Sequence, residues 1–275
     1  MRTNEPKFLA LLKTEPLRNE SGQLFFIEKA DSGDYDEAMK SSVNRLKSYL
    51  KNWPAFYYFL LYFASTIFFG GLSVKKALKK SFPDENYSDK VILNLGSGPR
   101  RHHQEIINID AHPFLNVDIV ADALNLPFRE SSVDMVIAES LLEHLPEPQI
   151  AVREIMRVLK PGGHVYILIP FLYPFHASPD DFHRWTVSGI RRELKEFEEV
   201  DVGMRSGPVS AFLSTLMHLL ASVFSLGSEK LYILFVNIFM MLLAPFKIFD
   251  WIFFLFPKSI DAAAFIYYLG KKKNG

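Results

Sequence analysis

Ionisable and aromatic side chains are concentrated in the string IPFLYPFHASPDDFHRWT, which ends at Thr186. An imidazole beside a carboxylate can accept a proton and return it near neutral pH, so this string could supply general acid–base chemistry. His176 is the first candidate for a base, and Asp181 could orient it or substitute for it. Loops with many such groups are usually functional. In a second interpretation, which stays open, Asp180 or Asp181 only stabilises the dipole of a following helix.

The remaining polar and aromatic side chains of this string are candidates for binding a second molecule. The string follows a predicted strand, and open α/β sheets bind their ligands outside the carboxyl ends of strands. These candidates are Tyr173, Asp180, His183, Arg184 and Trp185.

Two glycines form the next feature with chemical potential. A short apolar run that begins at Val91 stops at Gly96 and Gly98, and a later run, INID, ends on Asp110. This order predicts a buried parallel strand, a loop whose backbone approaches a ligand closely, and a second strand that presents a carboxylate to a ribose. The dinucleotide fingerprint needs a third glycine, but Pro99 follows Gly98, so the glycines alone do not exclude a simple turn.

The segments that follow predict alternating strands and helices. The string ADALNLPF carries another acid, Asp122, and SVDMVIAE predicts a fourth strand that ends at Glu139. LEHL comes next, then a periodic helix over 150–159, the turn KPGG and a strand over 164–169. Such alternation is typical of a parallel sheet covered by helices.

Taken together, LNLGSGP, NID, ADALNLPF, SVDMVIAESLLEHL and REIMRVLKPGG resemble class I S-adenosylmethionine-dependent methyltransferases, in the methyltransferase type 11-like subgroup. The resemblance covers residues 91–194. It implies an α/β fold with a Rossmann-like seven-stranded methyltransferase sheet and an antiparallel last strand. It also implies that the cofactor S-adenosyl-L-methionine is bound by Asn94, Gly96, Ser97, Gly98, Asp110, Asp122, Ala123, Leu124 and Glu139.

The family pattern implies individual roles for these residues. Asp110 would accept both ribose hydroxyls, and Asp122 would receive the adenine amino group unless it only caps a turn. Asn94 stands where many relatives carry an aspartate, so its bond to the cofactor would be neutral and weaker. His144 would lie near the transferable methyl and either shape the pocket or take part in catalysis. A hydroxyl acceptor would need a base such as His176, whereas a carboxylate or an activated carbon would need none.

The composition excludes several classes of function. The chain has 275 residues, with 31 Lys and Arg against 31 Asp and Glu, unlike the positive excess of nucleic-acid-binding domains. Because the sequence has no cysteine, it excludes disulfides, thiolate zinc sites and a cysteine nucleophile. We therefore expect no nucleic-acid partner and no metal site.

Two segments are apolar and rich in phenylalanine. Residues 53–74 carry no charge and are bounded by lysines, so they predict an aromatic helix in or on a membrane, or alternatively one packed on the catalytic domain. Residues 208–256 predict apolar helices that are interrupted by Lys247 and Asp250. A patch of this size is not expected to face water, so a membrane or a partner should cover it.

The second apolar segment is predicted to be an insertion between two paired strands, over residues 198–204 and 262–269. Paired strands lie on the same side of any membrane, so the insertion crosses it an even number of times or not at all. Intramembrane charge costs on the order of a few kcal/mol per group, which favours helices that lie in one leaflet. A cap over the active site or a dimer contact is the alternative.

The N-terminal part predicts a small hairpin over residues 8–27, with a turn near residues 19–22. It resembles zinc-ribbon-like modules found ahead of some bacterial methyltransferases, but every cysteine is missing, which leaves a structural or docking role. Residues 35–50, with Asp34 as N-cap, predict an amphipathic helix. The predicted organisation is a small N-terminal module and amphipathic helix over 1–50, an aromatic membrane-associated helix over 51–80, a methyltransferase domain over 81–207 and 258–275, and a hydrophobic helical insertion over 208–257.

The sequence thus predicts a methyltransferase at the cytoplasmic face of a membrane, acting on an amphiphilic or glycan-linked acceptor. The string PFHASPDDFHRWT resembles methyltransferases of bacterial cell-surface and glycan gene sets. A quinone or other lipid methyltransferase is one rival, and a non-catalytic membrane adaptor is another. The intact set of Gly96, Gly98, Asp110 and Asp122 argues against an adaptor, and the missing third glycine argues against an NAD enzyme.

Overall fold

The computed structural model describes residues 9–28, 65–176 and 180–274. Within these ranges the strands are β1 (Arg18–Glu20), β2 (Gln23–Phe25), β3 (Ile92–Leu95), β4 (Ile107–Asp110), β5 (Ile119–Val120), β6 (Val133–Glu139), β7 (Leu159–Pro170), β8 (Phe197–Ser206) and β9 (Phe265–Lys272). The α-helices are α1 (Val74–Ser81), α2 (Pro148–Val158), α3 (Val187–Glu193), α4 (Pro208–Phe224), α5 (Glu229–Leu243) and α6 (Asp250–Phe253). Short 3₁₀ helices lie at Leu142–His144, Ala244–Phe249 and Pro257–Ala262.

The strands form one sheet in the order β1-β2-β5-β4-β3-β6-β7-β9-β8. The pairs from β2 to β7 are parallel, whereas β9 is antiparallel to both of its neighbours, β7 and β8. The Rossmann-like α/β sheet with its antiparallel last strand is confirmed. Because helices cover both faces, the central strands are continuous apolar runs, as in the fully buried β3.

Successive residues of the central strands enter two separate hydrophobic cores. Leu93, Val136 and Ile167 belong to one core, which α2 and α3 cover, and their neighbours along the strands belong to the other. That second core is covered by α1 and by the first part of α4, where Ala211 packs. One end of the predicted apolar insertion is therefore part of the folded domain.

The N-terminal hairpin accounts for the difference from the predicted seven strands. Its turn is at Ser21 and Gly22, both with positive φ, as predicted for residues 19–22. Residues Leu24 and Phe25 of β2 pair in parallel with the short strand β5, which would otherwise be an exposed edge. The hairpin is thus an extension of the sheet rather than a separate module. The helix predicted over residues 35–50 lies outside the described residues.

The aromatic segment predicted as one helix over 51–80 is not helical in its described part before α1. Residues 51–64 lie outside the described ranges, and residues 65–73 are irregular. Phe69 forms a β-bridge with Ser206, and the Phe68 amide donates to Ser210 Oγ at 2.8 Å. Gly71 fits here because a Cβ at this position would lie 2.0 Å from the Met204 carbonyl oxygen. These contacts with β8 and α4 replace the intrahelical bonds that the prediction assumed.

The apolar insertion lies between β8 and β9, as predicted, and α4 and α5 form a helical hairpin. Asp250 is fully buried and accepts hydrogen bonds from the amides of Gly207, Val209 and Ser210, at 2.8–3.1 Å. It therefore caps the N-terminus of α4. Lys247 Nζ donates to the Ser65 carbonyl oxygen at 2.8 Å. Both interrupting charges are bound within the protein, so they impose no cost on lipid contact.

Candidate functional site

The predicted site residues gather at the carboxyl edge of the parallel strands. Gly96 follows β3, and β4, β6 and β7 end at Asp110, Glu139 and Pro170. Phe265, at the start of β9, pairs with Pro170 on one side and with Ser206 on the other. The apolar insertion, which begins after Ser206, therefore leaves the sheet at the same edge.

The glycine loop after β3 has a backbone shape that leaves space for a ligand. Gly96 and Gly98 have φ values of +62° and +53°, a region that residues with side chains rarely adopt. A Cβ on Gly98 would meet nothing within 4 Å, whereas one on Gly96 would lie 3.0 Å from Leu141 Cδ1. The loop thus packs closely against the segment after β6 and opens outward at Gly98. Ser97 closes the loop locally, because its Oγ donates to the Gly98 carbonyl at 3.2 Å.

Asp110 is held at the rim of this loop. Its Oδ2 accepts from the Gly98 amide at 2.8 Å, and its Oδ1 accepts from the His112 amide at 2.9 Å. Burial raises the pKa of Asp110, and these amide bonds act in the opposite direction. Each carboxylate oxygen has a second lone pair, so the carboxylate can accept from a ribose as predicted.

Asn94 lies deeper than its neighbours. It is buried in β3, and its Nδ2 donates to Asn108 Oδ1 on β4 at 3.1 Å. This bond orients the amide so that its oxygen is left as an acceptor. Its predicted contact with the cofactor amino group stays a prediction.

Asp122 lies on the turn after β5. Its Oδ1 accepts from the Leu124 amide at 2.8 Å, so the side chain caps a turn. Asp122, Ala123 and Leu124 are all half-buried at the carboxyl edge. The turn follows β5, which pairs with β4 next to Asp110. The predicted contacts of these residues with adenine stay predictions.

Glu139 is paired with a residue that the sequence analysis did not single out. His102 Nε2 lies 2.9 Å from Glu139 Oε2, and both side chains are mostly buried. His102 follows the glycine loop in the string RRHHQ, where no spacing rule marks it. The pair links the glycine loop to the end of β6.

A cluster of titratable side chains lies just beyond Glu139. His176 Nε2 is 3.6 Å from Glu143 Oε1, and His144 Nε2 is 4.0 Å from the same oxygen. The two imidazole rings are 5.0 Å apart. His176 Nδ1 faces Asp181 Oδ2 at 3.3 Å. The structure therefore brings together all three predicted catalytic residues, and it adds Glu143.

The loop that carries His176 is fixed by Arg184. The guanidinium forms a two-point ion pair with Asp181 and donates to the carbonyls of Tyr173 and Pro174. Burial alone would raise the pKa of Asp181, but the bonds from Arg184 and from the His176 amide lower it to about 2. Arg184 thus shapes the loop, and its donors are engaged within the protein rather than free for an acceptor.

The other predicted acceptor-binding residues take different positions. Tyr173 is half-buried, with its ring 5.3 Å from that of His176. The Asp180 side chain is exposed, and its carbonyl accepts from His144 Nδ1. His183 lies against the Pro146 carbonyl, at 3.2 Å. Trp185, two residues before α3, is buried in the main core, so it packs there rather than facing an acceptor.

Comparison with known proteins finds a domain that overlaps the site. A family model described as "Methyltransferase domain" matches residues 99–167, which run from the glycine loop into β7. Residues 99–167 thus belong to a methyltransferase domain. An uncharacterised chloroplastic methyltransferase of Arabidopsis thaliana is 39% identical over 126 residues, which are 42% of this chain and 35% of that protein. A demethylmenaquinone methyltransferase of Staphylococcus haemolyticus is 43% identical over 54 residues, 19% of this chain and 23% of that protein.

Solved structures that resemble part of this chain were also found. A Haemonchus contortus phosphoethanolamine N-methyltransferase, in complex with S-adenosylhomocysteine, covers 72% of this chain and 51% of its own, with 17% identity and a TM-score of 0.47. A Bacillus halodurans putative methyltransferase covers 74% of this chain and 100% of its own, with 14% identity and a TM-score of 0.44. The chain spans about a third or less of the first curated relatives that it matches.

S-adenosyl-L-methionine is the cofactor of the methyltransferase domain, and the residues present fit it. A Cβ at Gly98 would meet nothing within 4 Å, so the loop leaves open space at this position, and the loop takes positive φ values that favour glycine. Asp110 presents a fixed carboxylate at the same rim. Residue-by-residue contacts with the cofactor stay predictions.

Proposed function

We propose that this protein is an S-adenosylmethionine-dependent methyltransferase that works at a membrane surface on an amphiphilic acceptor. The observation that carries the proposal is that the apolar insertion leaves the sheet at the edge of the glycine loop and the histidine cluster. An acceptor held in a membrane under the insertion would thus reach the methyl group without leaving the lipid.

The outer surface of the insertion supports membrane contact. No residue of α5 is buried, and the helical run Glu229–Phe253 is long and apolar enough to cross a membrane by length and composition alone. An exposed apolar surface of this size is rarely left in water. Its most exposed large side chains are Phe212, Leu219, Val223, Leu226, Met241, Leu242, Ile248, Trp251 and Leu255.

The hairpin is better suited to lie along one leaflet than to cross. The 15 residues of α5 extend about 22 Å at 1.5 Å per residue, less than the roughly 30 Å of a hydrocarbon core. The run to Phe253 exceeds that thickness only by including the 3₁₀ segment Ala244–Phe249, where Lys247 is bound to the Ser65 carbonyl. Glu229 and Lys230 lie at the tip between α4 and α5, and burying them in lipid costs on the order of a few kcal/mol each. Both ends of the insertion return to neighbouring strands. We infer that the tip stays at the headgroup level.

A groove beside the insertion supports an amphiphilic acceptor. It lies between the loop after β7 and α4, and its volume is about 490 Å³. Tyr173 and Leu172 line one side, and Leu219 and His218 line the other. The ring of Tyr173 is 5.3 Å from that of His176. The apolar part of an acceptor could lie in this groove while its polar end reaches His176.

The chemistry that follows depends mainly on alignment. The bound cofactor supplies a methyl group on a sulfonium, which is already reactive, so side chains need only bind and orient the reactants. Asp110 and the glycine loop would hold the cofactor. A hydroxyl acceptor loses its proton at the cluster around His176, and His176 is the side chain placed to receive it.

The relative from Staphylococcus haemolyticus supports a second candidate within the same class, a quinone methyltransferase. A quinone ring and its isoprenoid tail would also match a groove that leads to an apolar hairpin. The two candidate functions differ in the compound that receives the methyl group.

The direct test is methyl transfer from labelled S-adenosylmethionine to isolated membranes by the purified full-length protein. We expect the label in the lipid extract, either in a glycan-linked lipid or in a quinone. Label confined to protein or to water-soluble compounds would contradict an amphiphilic acceptor. If the protein does not bind S-adenosylmethionine in calorimetry, the non-catalytic adaptor replaces the enzyme.

A further inference from the structure

Glu143 is an unusual residue in the described part of the chain. Its side chain has 0% relative exposure, and neither carboxylate oxygen has a hydrogen-bond partner. A buried carboxylate without a hydrogen bond or a close charge is costly, and such groups normally have a partner. Glu143 follows β6, so this unpartnered carboxylate lies at the carboxyl edge of the sheet.

The imidazoles of His144 and His176 face Glu143 at distances that suit three ligands of one ion. One ligand atom from each of Glu143, His144 and His176 lies within 4.8 Å of the other two. His176 Nε2 and His144 Nε2 are 3.6 and 4.0 Å from Glu143 Oε1, too far for good hydrogen bonds. Atoms that share one ion at about 2.1 Å from each lie roughly 3–4 Å apart.

The Nδ1 atoms of both imidazoles contact other groups of the protein. His144 Nδ1 lies 2.5 Å from the Asp180 carbonyl oxygen, which can only accept, so Nδ1 carries the proton and Nε2 keeps its lone pair. Imidazoles that bind metals usually donate their other N–H to a carbonyl or a carboxylate, as His144 does here. His176 Nδ1 lies between Asp181 Oδ2, at 3.3 Å, and Arg184 Nη2, at 3.4 Å. It would carry the proton and face the Asp181 carboxylate when Nε2 binds an ion.

We propose that Glu143, His144 and His176 bind a divalent cation. Two imidazoles and one carboxylate suit Mn²⁺, Fe²⁺, Co²⁺ or Zn²⁺ better than Mg²⁺ or Ca²⁺. Among the described residues this group supplies three ligands, so further positions on the ion would be open to water or to an acceptor oxygen.

This inference rests on the proposed function, which it deepens by naming the chemistry of the acceptor. An ion at this site would bind an acceptor that offers oxygen atoms, such as a hydroxyl or a catechol-like pair. It would lower the pKa of a bound hydroxyl, whose proton then passes to water. With the ion bound, His176 would take part in the deprotonation as a ligand, and only without the ion would it be free to accept the proton itself. This proposal differs from the sequence expectation of no metal site, which considered only cysteine ligands and did not single out Glu143.

Calorimetry with Mn²⁺ and Zn²⁺ on the full-length, chelator-treated protein tests the site directly. We expect one ion per chain, and we expect Glu143→Gln to weaken its affinity by at least about 100-fold. His103→Ala is the matched control, since His103 is exposed on another loop, and it should bind the ion normally. Absence of binding by the wild type, or equal binding by Glu143→Gln, overturns the proposal.

Thermal unfolding in chelator provides a second readout that separates an ion site from a structural contact. If Glu143 is an ion ligand that lacks a partner without the ion, Glu143→Gln should be at least as stable as the wild type in chelator, because the substitution removes an unpartnered buried charge. Mn²⁺ should then raise the melting temperature of the wild type only. Clear destabilisation of Glu143→Gln in chelator would mean that the histidines alone satisfy Glu143, and the ion site would be rejected.

Measuring the affinity of the same samples for S-adenosylmethionine separates rejection of the ion site from rejection of the proposed function. Normal cofactor affinity and methyl transfer in the presence of chelator would reject the role of the ion while leaving the methyltransferase intact. Loss of cofactor binding by the wild type would instead reject the proposed function.

Discussion

At the scale of residues, the chemistry depends on groups whose oxygens and nitrogens are held before any ligand arrives. Asp110 is fixed by two backbone amides, and Asp181 by Arg184. A ligand that binds such groups need not restrict their side chains, so less conformational entropy is lost on binding. This preorganisation makes single substitutions informative.

Asp110→Ala should weaken S-adenosylmethionine binding by about 1.5–3 kcal/mol, the range for hydrogen bonds to a charged group. The physical reason is that two ribose hydroxyls lose their acceptor. Calorimetry on the purified protein measures the change, with Asp84→Ala, on an exposed loop, as the control. Unchanged cofactor affinity would remove the ribose assignment.

His176→Ala should lower turnover by about 10²–10⁴-fold if the acceptor must lose a proton. Cofactor affinity should stay near that of the wild type, because His176 lies on the loop after β7 rather than on the glycine loop. The assay is initial rate at saturating acceptor, with His103→Ala as the control. A loss seen only in the apparent acceptor affinity would make His176 a positioning residue and indicate an acceptor that needs no deprotonation.

Glu154, which lies away from the site, should make the stability of the fold depend on pH. Its carboxylate pairs with Arg157 and accepts from the Leu126 amide at 2.8 Å. Burial opposes ionisation, but the bonds from Arg157 and Leu126 lower the pKa of Glu154 below 4.5. A lowered folded-state pKa stabilises the fold above the unfolded value, and this stabilisation is lost as pH falls from about 4.5 through the folded value.

Glu154→Gln should therefore reduce stability at neutral pH, and the difference from the wild type should shrink below about pH 4. Urea unfolding at a series of pH values measures it, and Glu147→Gln, at an exposed position, is the control. A difference that is constant with pH would show that packing rather than charge is responsible.

At the scale of elements, the α4–α5 hairpin combines two opposite surfaces. The base of α4 packs into the second core and is capped by Asp250, whereas α5 has no buried residue. The insertion is thus anchored by one end and exposed along the rest. This arrangement separates its structural part from the part that would contact lipid.

Deletion of residues 208–256 with a short glycine linker should release most of the protein from membranes. The linker can close the gap because Ser206 and Phe265 are paired neighbours in the sheet. Sedimentation with lipid vesicles measures release, and Leu242→Asp and Met241→Asp, both at exposed positions, should weaken binding without deletion. A full-length chain that is soluble and monodisperse without detergent would make the hairpin a core or dimer element.

At the scale of the whole molecule, sheet pairing restricts how the protein can sit in a membrane. Strands β8 and β9 are adjacent, so both ends of the insertion are on one side of the bilayer. If the hairpin lies in one leaflet, its tip must be on that same side. The lack of cysteine in the sequence allows this to be tested with single introduced thiols.

In vesicles with externally bound protein, Lys230→Cys at the hairpin tip and Lys195→Cys on the exposed surface after α3 should both react with an impermeant maleimide. Labelling followed by mass spectrometry provides the measurement. Reaction of Lys195→Cys with protection of Lys230→Cys until the vesicles are lysed would show that the tip has crossed the bilayer.

The parallel sheet, the glycine loop and the position of Asp110 at the end of a strand could be predicted from the sequence. Apolar periodicity and glycine spacing report local burial and local backbone shape, which neighbouring residues largely decide. The tertiary structure decided that Glu143 meets His176, that Trp185 enters the core and that the N-terminal hairpin covers β5. These contacts join segments far apart in the chain, and they depend on the path of loops and on which strand edge is left open, neither of which local pattern encodes.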